Sequence, residues 1–120
     1  MSREFVNDLC KTLPGAQVSD PWGQDDNGNG HDAWKVGGKM FALIGTKGLG
    51  VSVKCADVAT ADMLKDVGVA IKAPYLHKSW VHLTWDAADL DEIRHRVEAS
   101  YDVIRAGLTK KLQASLAPRT

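Results

Sequence analysis

The sequence predicts a single α+β domain, an antiparallel β-meander with helices packed on one face. Three observations lead there. Gly37-Gly38 separates two runs of alternating side chains, as in a tight hairpin. Leu90, Ile93, Val97, Tyr101, Ile104 and Leu108 recur at steps of three and four, the mark of an amphipathic helix. A chain of 120 residues, 44% hydrophobic and 25% charged, is the right size and composition for one core, so residues 1–120 are taken as one domain.

The elements follow in order. Phe5, Leu9 and Leu13 share a helical face, with Ser2 as the expected N-cap and Pro14-Gly15 as the stop. Residues 16–19 read as a short edge strand, and residues 20–32 as an exposed Gly- and Asn-rich loop. Residues 33–36 and 39–44 form the hairpin arms. Trp34 and Val36 are expected on one face, and Met40, Ala42 and Ile44 opposite to Lys39, Phe41 and Leu43. Residues 45–48 turn the chain into a third strand over 49–54. Asp57 caps a second helix with Met63, Leu64 and Val67 as its apolar stripe, ending at Gly68. Residues 69–74 fit no single pattern. Residues 78–85 alternate as a strand, and Asp89 with Glu92 opens the last helix as a capping box.

Cys10 and Cys55 lie in no Cys-x-x-Cys pair, so both are expected as buried thiols. No apolar run is long enough to span a membrane, and the N-terminus has no secretory pattern. A cytoplasmic monomer with no membrane partner is therefore expected. The formal net charge is zero, which argues against strong nonspecific binding to polyanions. The charges are nevertheless segregated. Residues 1–34 hold two basic and six acidic groups, whereas residues 35–80 hold seven lysines and three aspartates.

Catalytic and metal motifs are weak. Asp25, Asn27, Asn29 and Gly30 match the first half of a calcium loop, but the closing position is Val36, so a flexible loop is expected there. His31, His77, His82 and His95 have no metal-ligand spacing, and His31 is expected to contact Asp32 in a turn. No motif pairs a nucleophile with a base. The expectation is a protein that is not an enzyme and has no cofactor or metal.

What remains is lysine beside aromatic: Trp34-Lys35, Lys39 near Phe41, and Tyr75-x-x-Lys78-x-Trp80. Such a surface contacts phosphates through lysine and stacks on bases through rings. These residues, with Leu13-Pro-Gly-Ala16, Asp20-Pro-Trp-Gly23, Lys35-Val-Gly-Gly-Lys-Met-Phe41, Val51-Ser-Val-Lys54 and Ser100-Tyr-Asp-Val-Ile104, resemble the MmcQ/YjbR family of small bacterial proteins. The resemblance implies a frataxin (CyaY)-like sheet with helices, a double-wing arrangement and DNA as partner. Lys35, Lys39, Lys54 and Lys78 are then the expected nucleic-acid contacts. The acidic residues 24–30 depart from the family pattern and oppose phosphate binding. The alternative is a small-molecule or protein-binding module with a cleft near Trp34, Tyr75, His77 and Trp80.

Overall fold

Gly37 and Gly38 have φ of 58° and 81°, the pair of positive values that defines a type I′ hairpin turn. Around it, the computed structural model of the protein, which describes residues 2–119, has ten elements. They are α1 (Ser2–Lys11), β1 (Gln17–Ser19), β2 (Asp32–Val36), β3 (Lys39–Ile44), β4 (Gly50–Lys54), α2 (Val58–Asp66), β5 (Ile71–Lys72), β6 (Trp80–Thr84), α3 (Leu90–Ala106) and α4 (Lys110–Ser115). The Ser2 side chain, and with it the expected helix cap, lies outside the described residues.

All strand pairings are antiparallel, in the order β1-β2-β3-β4-β6-β5. One face of this sheet is covered by the helices. Val36, Ile44, Val51, Val53, Val81 and Leu83 pack there against Ile93, Val97 and Tyr101 of α3, Val6 and Leu9 of α1, and Ala61 and Leu64 of α2. These side chains are the apolar mass whose burial drives the fold. The α+β architecture expected from the sequence is the one observed.

The strict alternation expected in β3 does not hold. Trp34 pairs with Ala42 but Lys35 pairs with Met40, so Phe41 is an extra residue in a β-bulge. Phe41 and Ala42 both point to the core, and Phe41 meets the Tyr101 ring edge-on at 5.3 Å. The bulge interrupts the ladder to β4, and Ser100 of α3 fills the break. Its hydroxyl donates to Phe41 O at 2.6 Å and accepts from Lys54 N–H at 2.9 Å. The buried backbone groups that the bulge displaces are thereby satisfied.

The helices differ from expectation in detail. Asp57 and Asp89 cap α2 and α3 by accepting from Thr60 and Glu92 N–H. The Glu92 side chain does not close the capping box; it pairs with Arg96 at 2.6 Å. In α2 the buried stripe is Ala61 and Leu64, while Met63 and Val67 are exposed. The periodicity rightly marked Leu64 but placed the stripe one residue off, because a nine-residue helix offers only two turns to register. The short α4, capped by Thr109, has no apolar run to announce it and buries none of its residues.

Candidate functional site

The face of the sheet away from the helices is where the sequence leaves its chemistry. Register places Ser19, Ala33, Leu43, Ser52, His82 and Ile71 in one row across all six strands. No helix covers this row. Two loops wall it instead: residues 20–31 on one side and residues 73–79 on the other. Between them lies a concavity of two adjoining lobes, about 580 Å³ and 480 Å³, which share His31, Leu43, Pro74 and Tyr75. Those volumes lie in the range of small-molecule sites.

The floor is polar. The Ser52 hydroxyl and His82 Nδ1 are 2.9 Å apart, and burial holds the His82 pKa below its ordinary 6.5. A Cβ on Gly50 would collide first with the Leu83 backbone carbonyl of β6 and then come within 2.7 Å of His82 Nε2. Glycine inside this strand therefore permits the close approach of the β6 backbone and, beside it, of the histidine ring. Thr46, Lys47 and Leu49 border the same lobe.

The walls are aromatic. Trp22 is 60% exposed and stands edge-on to His31 at 5.1 Å. Asp20 Oδ1 holds His31 in place, accepting from its backbone N–H at 3.1 Å and lying 3.2 Å from Nδ1. The expected His31–Asp32 contact is thus replaced. Asp32 takes Arg3 instead, at 2.8 Å, and Arg3 also donates to Gly30 O and Gly45 O, tying α1 to the loops beneath the site. Inside residues 20–31, Asp25 Oδ1 accepts from Asn27 and Asn29 N–H. The half calcium loop is thereby closed by its own backbone.

Tyr75 forms the opposite wall. Its side chain is fully exposed and its φ is +64°, the left-handed region that bulky residues rarely occupy. Its ring is thus displayed from a strained backbone, with no hydrogen bond from its hydroxyl among the described residues.

The expected site residues divide. Trp34 is 3% exposed, on the helix side, and donates through Nε1 to Asn7 Oδ1 at 2.8 Å. It belongs to the core and is removed from the expected cleft. Tyr75 does line the concavity. His77 and Trp80 sit at the adjacent end of the sheet. There Lys54 Nζ donates to Ser79 Oγ at 2.8 Å, and that hydroxyl lies 2.8 Å from His77 Nδ1. The lysines gather as well. β2 and β4 run toward that end and β3 and β6 run away from it, so Lys35, Lys39, Lys54 and Lys78 all lie there. Lys39 and Lys78 are exposed, while Lys35 and Lys54 are half-buried.

Sequence reasoning passed over Trp22, Ser52 and His82 as site residues. A signal existed for two of them, since Ser52 and His82 are polar residues on the outward alternation of strands that are otherwise valine and leucine. Among the described residues no cluster of three metal-ligating side chains occurs, and no helix is long and apolar enough to cross a membrane.

Comparison with known proteins gives two findings. A family model described as YjbR matches residues 11–103, well over half of the chain. Among solved structures, the chain is similar to the crystal structure of Deinococcus radiodurans protein DR2400, which carries a domain designated DUF419. The TM-score is 0.79 at 22% identity, covering 93% of this chain and 85% of that one, a likeness of fold. No curated protein matches the chain.

Proposed function

The chain belongs to the YjbR family, and from that premise we propose that it is a non-catalytic binding module whose ligand lies on the helix-free face of the sheet. The observation that carries this reading is the concavity walled by Trp22 and Tyr75 over the Ser52–His82 pair. Exposed rings around a few convergent polar groups are how small-molecule sites are built. A binding role is favoured over acyl transfer. Ser52 is buried, a histidine with a lowered pKa is a weaker base, and no carboxylate among the described residues is bonded to His82. The edge strands β1 and β5 are three and two residues long, which supports a monomer, since short edges resist pairing with another chain. Two free buried thiols, Cys10 and Cys55, are in keeping with a cytoplasmic setting.

The test is a thermal-shift screen of planar metabolites, repeated on Trp22→Ala and Tyr75→Ala. A stabilising compound whose effect both variants abolish supports the reading. Stabilisation that both variants retain places the ligand elsewhere and overturns it.

A second reading has its own observation. Lys35, Lys39, Lys54 and Lys78 share one end of the sheet with Trp80, an arrangement that suits contact with nucleic-acid phosphates. Titration with short duplex DNA at low salt tests it. Amide shifts at Lys39 and Lys78 that fade with added salt support the reading; absence of binding at tens of micromolar protein removes it.

A further inference from the structure

The two lobes of the concavity differ in chemistry. The smaller one is bordered by Trp22, Leu43, Pro74, Tyr75 and Leu76, together with the His31 ring that Trp22 abuts. The larger one adds Thr46, Lys47, Ser52 and His82. Around both lobes the only formal charge that does not depend on protonation of an imidazole is the Lys47 ammonium, and no carboxylate lines either. The Asp20 carboxylate, which lines neither lobe, has its Oδ1 occupied by the backbone and ring nitrogens of His31.

We infer that this cavity takes a flat aromatic ligand bearing one anionic group, its ring between Trp22 and Tyr75 and its anion toward Lys47. The inference rests on the binding reading above and adds the ligand's chemical class. Each half has a physical reason. Trp22 and Tyr75 expose ring surface that no protein group covers, and a second π-system is the partner that recovers the most from such surfaces. A cation on a rim without carboxylates attracts an anion and repels a cation. The Ser52–His82 pair adds directional polar groups to the same lobe, and after their mutual hydrogen bond one donor hydrogen, on Ser52 Oγ or His82 Nε2 according to tautomer, is left for a carboxylate. A neutral aromatic would fill the smaller lobe and leave Lys47 without a partner.

Three probes with one ring system separate the two halves: naphthoate, naphthamide and naphthylmethylammonium, each followed by amide NMR on the full chain. The expected result is that naphthoate shifts Tyr75, Ser52 and Lys47, binds about tenfold more tightly than naphthamide, and that the ammonium binds weakest. In Lys47→Gln, a surface change in a turn, the naphthoate advantage falls to about twofold or less while naphthamide affinity is unchanged. Equal binding of all three probes at these residues overturns the anion assignment and leaves the binding reading standing. An advantage for naphthoate that Lys47→Gln retains also overturns it. Shifts confined to residues outside the cavity, or none with any probe, overturn both.

Discussion

Ser100 on α3 donates its hydroxyl hydrogen to the carbonyl of Phe41 across 2.6 Å, at the point where β3 departs from regular pairing. The same oxygen accepts from Lys54 N–H at 2.9 Å, so one buried side chain completes the sheet from outside it. Ser100→Ala strands a buried carbonyl and a backbone N–H. The expected loss is about 2 kcal/mol of unfolding free energy, measured by urea denaturation. A loss under about 0.5 kcal/mol would show that the bulge satisfies itself.

The two turn glycines are expected to differ. Both have positive φ, but a Cβ at Gly37 would come within 2.6 Å of Leu108 Cδ1, whereas one at Gly38 meets nothing within 4 Å. Gly38→Ala is expected to cost about 1 kcal/mol, the left-handed penalty alone. Gly37→Ala is expected to cost about 2 kcal/mol, because Leu108 must also shift. Thermal or urea unfolding of the two variants side by side reads the difference.

At Tyr75, stability and binding are expected to move in opposite directions. Its ring is fully exposed and its backbone left-handed, so Tyr75→Asn removes strain and no packing. The variant should be more stable by about 0.5 kcal/mol, since asparagine tolerates this conformation better. It should lose affinity for any ligand held between the walls. Unfolding and ligand titration on the same preparation check both signs.

His82 links stability to pH. Burial lowers its folded pKa below the ordinary 6.5, so the unfolded chain binds the proton more readily. The stabilising contribution is full above pH 6.5 and is lost as the pH falls from 6.5 toward the folded pKa. His82→Gln should flatten the stability profile over that window. Unfolding midpoints collected at steps of pH give the slope for both proteins, and equal slopes would assign the effect to other groups.

Cys10 is expected to be inert. It is fully buried, and burial pushes its thiol up to about 12. Cys55 is raised for the same first reason, offset in part by Arg96. A thiol reagent should modify Cys10 at the rate of global opening, so its reaction should accelerate sharply near the unfolding midpoint in urea.

Much of the fold was legible in the sequence because local chemistry and tertiary demand agree there. Gly37-Gly38 can form a tight turn with positive φ at both positions, and the α3 stripe from Ile93 to Tyr101 is long enough to fix its own phase. The bulge at Phe41 was not legible, since its partner, Ser100, lies 59 residues away. The candidate site was read in half. Tyr75 stood out by its spacing to Lys78 and Trp80, but Trp34 looked the same as any strand tryptophan until Asn7 claimed its indole nitrogen. The concavity itself is made by two loops meeting over a sheet, and nothing in either loop's residues names the other.

The bulge has one more consequence, for how the strand carries its pattern through insertions and deletions. Met40 and Leu43 face away from the helices while Phe41 and Ala42 face toward them, so β3 reads in two phases joined at one residue. Losing that residue would restore plain alternation, with Met40 and Leu43 still outward and Ala42 and Ile44 still inward, but would forfeit the ring contact with Tyr101. Between the Gly37-Gly38 turn and the cavity β3 is therefore one residue longer than its pairing requires, and that spare residue supplies the core with its Phe41 ring.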